Sequence, residues 1–364
     1  MRVIISAGGT GGHIYPALAI INKIKKEEPK SEFLYIGTTN RMEKDLIPSF
    51  NIPYVGVEMT GFKRSLSFDN VKTVINFVKA CKKCKKLIEN FNPDVVIGCG
   101  GYVTAPVIWA AHKLGKHTFI HEQNSVVGLS NKFLSKYVDK VGVSFESTLK
   151  DFPRDKVSLT GNPCSEKAYS IKKAKKEEFG LDDNKKLVLI VMGSLGSKTV
   201  NDKLTDFMGG FRNKDYEVLY VTGESYYKQV SKMGFPSNVH VVSFIPEMSR
   251  IMKQADLMVS RAGASTMSEI MTLGIPTIFI PSPYVTNNHQ YKNAMDLVNK
   301  DAALILKEED LTKNNLIRMI DNILMDSEKY NTIKDNLKSM GITDSSSRIY
   351  EILKDMIMDD KKFY

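Results

Sequence analysis

Short apolar runs alternate with longer amphipathic stretches along almost the whole chain. Each run is about as long as one buried strand, whereas the stretches between them repeat their apolar residues at helical spacing. Strands that are apolar on both faces are typical of parallel sheets covered by helices. The pattern therefore predicts an α/β protein, with strands at Val3–Ile5, Phe33–Ile36, Val95–Ile97, Thr118–Ile120, Leu187–Met192, Val218–Val221, Val239–Phe244, Leu257–Val259 and Thr277–Ile280.

The runs form two series, which are separated by the segment Thr160-Gly161-Asn162-Pro163 and the charged stretch Lys172–Glu178. A chain of 364 residues is long enough for two domains that each bury a core. We predict a first domain at residues 1–161 and a second at 162–342. Helical pattern continues after Thr312, and we expect the last part, about residues 343–364, to pack back on the first domain.

Four glycine-rich turns follow predicted strands, two in each half of the chain: Gly8–His13, Gly98–Tyr102, Gly193–Ser197 and Arg261–Thr266. Glycine lets a backbone take positive φ and lets a ligand approach closely, and the amides that open the next helix attract anions. The turns match neither the GxGxxG nor the GK[ST] spacing. Their placement predicts two doubly wound, Rossmann-like domains whose parallel sheets face a central cleft.

The cysteines and the length of the apolar runs indicate the compartment and the solubility of the protein. The four cysteines form no paired framework, which predicts a reducing compartment: Cys81, Cys84, Cys99 and Cys164. The C-x-x-C pair lies in a lysine-rich helical pattern with no second ligand pair, so it does not predict a metal site. We expect a soluble or peripheral protein, because no signal peptide and no apolar run of about 20 residues is present.

The formal net charge of +10 indicates an anionic partner. Residues 63–86 hold eight basic side chains against one acid, Asp69: Lys63, Arg64, Lys72, Lys79, Lys82, Lys83, Lys85 and Lys86. Beside them runs an apolar stripe at helical spacing: Val71, Val74, Ile75, Val78, Cys81 and Ile88. The stretch is either a solvated helix face over the core or, as we prefer, a surface for anionic lipid headgroups. We expect no nucleic-acid partner, because no base-reading module is present.

Several motifs occur together in a fixed order: Gly8–His13 with Pro16, Gly98–Tyr102, His121-Glu122-Gln123-Asn124 with Gly128, Gly161-Asn162-Pro163, Ser260–Glu269 and Gln290–Ala294. From residue 3 to the C-terminal helices the chain strongly resembles the MurG family, within glycosyltransferase family 28. The resemblance implies a GT-B fold and a peripheral enzyme at the cytoplasmic face of the cell membrane. The implied reaction transfers N-acetylglucosamine from UDP-N-acetylglucosamine, with inversion, to the MurNAc 4-hydroxyl of undecaprenyl-diphosphate-MurNAc-pentapeptide (lipid I), giving lipid II.

The resemblance assigns a set of residues to the donor: Thr10, Gly11, Gly12, Asn124, Ser165, Ser194, Phe244, Ile245, Ala264, Ser265, Thr266, Met267, Ser268, Glu269 and Gln290. Within it, Glu269 would accept bonds from the ribose hydroxyls, although a helix-opening acid can also simply complement the helix dipole. Thr10, Gly11 and Gly12 suit the acceptor diphosphate equally well. We assign the second turn to that diphosphate: Gly98, Gly100, Gly101 and Tyr102.

One position departs from the family. Members often carry arginine two residues after Gly-Asn-Pro, where this chain has Ser165. A hydroxyl donates one hydrogen bond but carries no positive charge. Either Arg261 or Lys198 compensates, or donor affinity is lower.

Inverting transfer needs a base near the acceptor hydroxyl. His13 is the first candidate, because the dipole at a helix N-terminus disfavours imidazolium and keeps the ring neutral. A helix-capping or core role for His13 is the alternative, and His121 or Glu122 are the other candidate bases. No Asp-x-Asp pair or other metal-ligand set is visible, so we expect no cofactor; stimulation by a divalent cation is left open.

Three other functions stay open at this point. A GT-B transferase could use another lipid acceptor, and a UDP-N-acetylglucosamine 2-epimerase would share the fold and the donor. A catalytically silent scaffold that binds UDP-sugar and membrane would not need His13, Glu122 and Glu269 together.

Overall fold

The computed structural model of the chain describes residues 1–59, 68–193 and 197–361. Contacts between residues divide it into two compact units. The first unit combines Met1–Glu166 with the C-terminal segment that begins at Asp344, and the second unit is Lys167–Thr343. The structure therefore puts the first boundary five residues after position 161 and the second one residue after position 342.

Both units are built from parallel strands and covering helices. The strands are β1 (Arg2–Ser6), β2 (Glu32–Thr38), β3 (Tyr54–Val57), β4 (Val95–Gly98), β5 (His117–Glu122), β6 (Lys140–Val143), β7 (Val157–Leu159), β8 (Lys186–Val191), β9 (Tyr216–Val221), β10 (Val239–Val242), β11 (Leu257–Ser260), β12 (Thr277–Phe279) and β13 (Leu304–Ile305). The helices are α1 (Gly11–Glu27), α2 (Glu43–Leu46), α3 (Phe68–Phe91), α4 (Thr104–Lys113), α5 (Leu129–Leu134), α6 (Pro163–Ser170), α7 (Lys198–Phe207), α8 (Glu224–Val230), α9 (Met248–Met252), α10 (Ala264–Leu273), α11 (His289–Val298), α12 (Lys313–Met325), α13 (Ser327–Met340) and α14 (Ser345–Lys361).

The two sheets repeat one topology. The first unit orders its strands β3-β2-β1-β4-β5-β6-β7, and the second orders them β10-β9-β8-β11-β12-β13. All neighbours are parallel. In each sheet the order reverses beside the first strand of the unit, at β1/β4 and at β8/β11, and ligands of such sheets bind at this switch point. The predicted α/β class with two Rossmann-like domains is confirmed.

Four strands lie outside the apolar runs that the sequence pattern predicted: β3, β6, β7 and β13. Three of them (β3, β7 and β13) are only partly buried, and β6 is four residues long and contains a glycine. A short strand with one covered face carries too few apolar residues to stand out as a run.

The first sheet buries an apolar core on each face. One core joins α1 to the strands and includes Ile349 and Leu353 of α14, and the other lies under α3 and α4. Tyr350 of α14 donates a hydrogen bond to Glu28 at 3.1 Å, and Ser347 bonds Glu166 through both its amide and its hydroxyl at 2.8 Å. The last helix is thus part of the first unit, whereas α12 and α13 belong to the second.

The apolar stripe along α3 is only partly buried in the core. Cys81 and Ile88 are buried, but Val74, Ile75 and Val78 are about half exposed. The cysteines are free thiols on the buried face, and burial raises the pKa of Cys81 to about 11 and of Cys84 to about 12. Of the predicted basic stretch, Lys63 and Arg64 lie outside the described residues, as do the side chains of Val71 and Lys72.

Candidate functional site

The first two glycine turns pack directly against each other at the β1/β4 switch point. The Gly8 amide donates to the Gly100 carbonyl at 3.2 Å. Gly100 and Gly101 have φ values of +100° and +92°, and a Cβ on Gly101 would lie 2.5 Å from the Gly8 carbonyl oxygen. Both positions therefore require glycine, because of backbone conformation and of the close approach of the turns.

His13 stands in the first turn of α1, as predicted, and its ring lies on the second glycine turn. A Cβ on Gly100 would be 2.7 Å from His13 Cδ2 and 3.0 Å from Nε2. The Nδ1 atom is 3.1 Å from the Gly8 carbonyl oxygen. Since a carbonyl can only accept, Nδ1 carries the hydrogen, and this tautomer puts the lone pair on Nε2. That arrangement suits a ring that accepts a proton through Nε2.

The end of β5 holds the other two candidate bases in closed hydrogen-bond networks. The buried Glu122 carboxylate accepts from the Asn124 and Gly128 amides at 3.1 and 2.9 Å and from Asn131 Nδ2 at 2.9 Å. His121 Nε2 donates to the Gly161 carbonyl at 2.9 Å, and its Nδ1 accepts from Gln123 at 3.1 Å. Burial lowers the pKa of His121 to about 4. The geometry therefore favours His13 over both as the base.

The third glycine turn is only partly described, because Ser194 falls in residues 194–196, outside the described part of the chain. Arg261, just after β11, borders this turn. Its guanidinium donates to Ser197 Oγ and to the Ile280 carbonyl, each at 2.8 Å, and lies 2.5 Å from a Glu308 carboxylate oxygen. Arg261 is therefore committed to partners within the protein, whereas Lys198 is exposed at the start of α7.

The fourth turn opens α10 with partly exposed Ser265 and Thr266. Met267 and Ser268 are buried, and the Ser268 hydroxyl donates to the Ala264 carbonyl at 3.0 Å, so these two contribute at most their backbone. Among the described side chains, the buried Ser265 hydroxyl has no hydrogen-bond partner. Polar atoms in such a position commonly bind a ligand or water.

Glu269 lies one turn into α10, and Ser249 of α9 donates to its Oε1 at 3.1 Å. Burial raises the pKa of this carboxyl to about 7, a shift that the Ser249 bond and the charge of Lys167 only partly oppose. A carboxyl group with one neutral donor is poorly compensated for its lost hydration. Perturbed groups of this kind are enriched at functional sites.

The other donor candidates of the second unit have mixed exposure. Phe244 is 51% exposed and can offer its ring face, whereas Ile245 is buried. Gln290 Oε1 accepts from the Ser282 amide at 2.9 Å, which orients its side-chain amide. Asn293, one helical turn on, donates to the Ala262 carbonyl at 3.3 Å and ties α11 to the fourth turn.

Ser165 has a clear internal role. Its hydroxyl is buried, donates to the Asn162 carbonyl at 2.8 Å and lies 2.9 Å from the Ser345 hydroxyl. In this structure the residue joins α6 to the start of α14. Asn124, the other first-unit donor candidate, has its amide groups on Glu122, and Thr10 and Gly12 are exposed at the first turn.

The first unit also exposes an apolar and basic surface, here called the α3–α5 surface, made of Val74, Ile75, Val78, Leu129 and Phe133. Aromatic contacts connect α3 to α4 and α5: the ring centroid of Phe77 lies 6.4 Å from the ring centroids of both Trp109 and Phe133. The same helices and the segment after α5 carry exposed lysines: Lys79, Lys82, Lys83, Lys85, Lys86, Lys113, Lys132 and Lys136. Contiguous exposed apolar residues rimmed by charge mark protein or membrane contacts.

Residues that hold the turns were not predicted from the sequence. Glu43, Asn131 and Ser249 each bond a turn or a candidate residue, at separations of 34, 9 and 20 residues in the chain. Asn293 lies inside the motif Gln290–Ala294, but the motif does not indicate its bond to Ala262. In the sequence, such a residue can be recognised only as a polar position within an otherwise apolar helical face. That pattern indicates a buried hydrogen bond but not the residue with which it forms.

Within residues 1–59, 68–193 and 197–361, no three His, Cys, Asp or Glu side chains are grouped so that they could hold a metal ion. None of the helices in these ranges combines the length and the apolar character needed to cross a bilayer.

Two Rossmann-ordered sheets, each with a pair of glycine turns at its switch point, define a two-domain α/β protein of the GT-B fold class. The chain belongs to glycosyltransferase family 28. The family's N-terminal domain model matches residues 3–143, and its C-terminal domain model matches residues 187–349.

Curated relatives match the whole chain. A Bacillus cytotoxicus protein named UDP-N-acetylglucosamine–N-acetylmuramyl-(pentapeptide) pyrophosphoryl-undecaprenol N-acetylglucosamine transferase is 49% identical over 98% of this chain and 100% of its own length. A Bacillus pumilus protein of the same name is 48% identical over 98% and 99%. The crystal structure of Acinetobacter baumannii MurG superposes with a TM-score of 0.80, at 27% identity over 97% and 99% of the two chains. The UDP-GlcNAc 2-epimerase of Neisseria meningitidis, bound to UDP-GlcNAc, shares the fold alone, with a TM-score of 0.67 and 16% identity over 98% and 100%.

Proposed function

We propose that this protein transfers N-acetylglucosamine from UDP-N-acetylglucosamine to the 4-hydroxyl of MurNAc in lipid I, giving lipid II with inversion at the transferred anomeric carbon. The observation that carries the proposal is near-half identity, over the full length, to proteins named for this transferase activity. The pair of glycine turns in each unit adds support, because donor and acceptor both contain a diphosphate and each turn opens a helix toward an anion.

In this proposal the second unit holds the donor. Glu269 accepts the ribose hydroxyls, Phe244 and Ile245 line the uracil site, and Gln290 contacts the sugar. The amides that open α10, from Ala264 to Ser268, lie at the leaving diphosphate and stabilise its growing charge. The family resemblance also assigns Ser194 and Thr10–Gly12 to the donor.

The missing positive charge at position 165 is supplied by Lys198 rather than Arg261. Arg261 already has Glu308, Ser197 and Ile280 as partners, whereas Lys198 stands exposed directly after the third turn. A lysine there acts on the diphosphate as a point charge.

The first unit supplies the base and the acceptor site. His13 Nε2 takes the proton of the attacking 4-hydroxyl while the oxygen bonds the anomeric carbon and the bond from that carbon to UDP breaks. The second glycine turn, with Gly98, Gly100, Gly101 and Tyr102, lies at the acceptor diphosphate. No metal ion or other cofactor takes part in this scheme.

The α3–α5 surface is proposed to place the enzyme on the anionic cytoplasmic face of the cell membrane, where its lipid acceptor resides. Its apolar side chains are half exposed beside a row of lysines, and each basic residue near an anionic bilayer adds about 1 kcal/mol.

The test is to incubate purified protein with radiolabelled UDP-N-acetylglucosamine and a short-chain lipid I analogue and to follow label into lipid. We expect transfer that requires the muramoyl-diphosphate acceptor. We expect His13→Ala to lower kcat by at least about 100-fold, as loss of a general base does, with little change in the KM for the donor. The control is His117→Ala, since His117 lies at the amino end of β5, whereas His13 follows the carboxyl end of the parallel strand β1.

Label that stays on the nucleotide, as UDP-N-acetylmannosamine, would identify a 2-epimerase. Equal losses in kcat and donor affinity on His13→Ala would make His13 a structural or donor-binding residue.

A further inference from the structure

A buried carboxylate that no step of the proposed reaction uses lies under the first glycine turn. Glu43 begins α2 and is fully buried. Its oxygens accept from the Thr38 amide at 3.1 Å, the Thr38 hydroxyl at 2.6 Å and the Gly9 amide at 3.1 Å. All three donors are neutral groups, so the first turn adjoins a buried negative charge with no cation of the described chain bonded to it.

Two glycines make room for this side chain. A Cβ on Gly8 would lie 2.6 Å from Glu43 Oε1, and a Cβ on Gly37 would lie 2.8 Å from Glu43 Cγ. Tyr54 closes the pocket and donates its hydroxyl to the Thr38 carbonyl. One residue of the first glycine turn and one residue of β2 therefore lack side chains where the carboxylate needs space.

The peptide group between Gly8 and Gly9 connects Glu43 to His13. Its N–H donates to Glu43, and its carbonyl oxygen accepts from His13 Nδ1. Hydrogen bonds in such a chain polarise one another, by about 10–30% per bond. A carboxylate at the N–H end therefore makes the carbonyl at the other end a stronger acceptor for the imidazole.

We propose that Glu43 is a positioning residue for His13 that acts through the Gly8–Gly9 peptide. The inference rests on the proposed role of His13 as the base. The polarised carbonyl holds the ring as the Nδ1–H tautomer, so that Nε2 faces the reaction with its lone pair. When Nε2 takes the proton of the acceptor hydroxyl, Nδ1 keeps its own hydrogen, and the imidazolium charge is stabilised through the peptide by the Glu43 carboxylate.

The first test compares Glu43→Gln with Tyr54→Phe. The glutamine retains an oxygen for the Gly9 amide but removes the charge, whereas Tyr54→Phe disturbs the same pocket and leaves the carboxylate in place. We expect Glu43→Gln to lower kcat about tenfold, in the range of coupled neighbours, with the donor KM changed less than about twofold. Tyr54→Phe should change neither. Equal effects of the two variants would overturn the proposal.

A double-mutant cycle shows whether Glu43 acts through His13. In the His13→Ala background, Glu43→Gln should cause no further loss of kcat. The same fold-loss in both backgrounds would mean that Glu43 only holds the turn, and would overturn the proposal.

The third readout needs no activity. We expect ¹⁵N NMR to show the Nδ1–H tautomer of His13 in the unaltered protein and a mixture of tautomers in Glu43→Gln. An unchanged tautomer in Glu43→Gln would overturn the proposal. Full activity of His13→Ala would instead refute only the assignment of His13 as the base, so the two failures can be told apart. If the glutamine variant does not fold, Glu43→Asp serves instead, because it withdraws the carboxylate from Gly9 by one methylene and should also mix the tautomers; an unchanged tautomer there overturns the proposal.

Discussion

Glu43, Glu122 and Glu269 differ mainly in the hydrogen-bond donors around their carboxyl groups. Glu122 and Glu43 each accept from at least three N–H or O–H groups, whereas within the described ranges Glu269 accepts only from the Ser249 hydroxyl. Burial therefore dominates at Glu269 and raises its pKa to about 7. If the proposed contact with the ribose is made, protonation of Glu269 and donor binding are linked near neutral pH.

We expect donor affinity to depend on pH through Glu269. Ribose hydroxyls donate to the carboxylate but gain less from the protonated acid, so affinity should rise as the pH rises through 7. Between pH 6 and pH 8 the dissociation constant for UDP-N-acetylglucosamine should fall up to about tenfold. Calorimetric titration at pH 6, 7 and 8 measures this, and Glu269→Gln should bind weakly at every pH. A pH-independent affinity in the unaltered protein would contradict the assignment.

The raised pKa of Glu269 gives the stability of the folded protein the opposite pH dependence. Because the folded-state pKa lies above that of a free glutamate, the unfolded chain releases this proton first as the pH rises. The contribution of Glu269 to stability is therefore full at low pH and declines as the pH rises from about 4.5 to 7. Glu269→Gln should not lower the thermal midpoint at pH 8, which separates a ligand-binding role from a structural one.

At the scale of elements, the last helix contributes to a unit that begins at the other end of the chain. Leu353 of α14 is buried in the core of the first unit with α1, whereas Met358 on the same helix is 42% exposed. The helix is thus an integral layer of the first unit.

We expect Leu353→Ala to lower the free energy of unfolding by about 2–5 kcal/mol, the usual cost of a cavity at a buried leucine. Met358→Ala is the matched control and should change it by less than about 0.5 kcal/mol. Denaturant titration of both variants measures the difference. Equal, small effects would mean that α14 does not stabilise the first unit.

At the scale of the whole molecule, charge and apolar exposure coincide. The chain carries a formal net charge of +10, and the helices that form the α3–α5 surface, with the segment after α5, also carry exposed lysines. An apolar surface beside a positive one suits a bilayer whose headgroups are anionic, because burial of apolar area and Coulomb attraction then act together.

We expect the protein to sediment with phosphatidylglycerol vesicles and to be released by salt. Ile75→Ser should weaken binding about fivefold, because the exposed half of the isoleucine side chain is then no longer available for burial in the bilayer. Met358→Ser changes an equally exposed apolar residue on α14 and should leave binding unaltered. Binding that ignores lipid charge, or an equal loss in both variants, would contradict the proposed membrane surface.

Much of the fold was predictable because its signal is local. Runs such as Leu187–Met192 and Val95–Ile97 carry the strand pattern within a few residues, and glycine turns mark the strand ends wherever a helix begins. The candidate donor and acceptor residues were predictable as motifs for the same reason. The short strand β13 and the burial of Ser165 could not be predicted from the sequence. β13 forms by pairing with β12, and Ser165 is buried against Ser345, which is 180 residues away in the chain.

Periodicity and motif order, which are written into neighbouring residues, suffice to indicate two α/β domains, the glycosyltransferase family and His13 as a candidate. Tertiary structure decides which polar groups face one another. It commits Arg261 to Glu308, encloses Glu122 in a loop network, leaves half of the α3 stripe in solvent and sets Glu43 behind the peptide that His13 bonds. The physical reason is that hydrogen bonds and burial depend on distance in space, and residues far apart in the chain meet only when it folds.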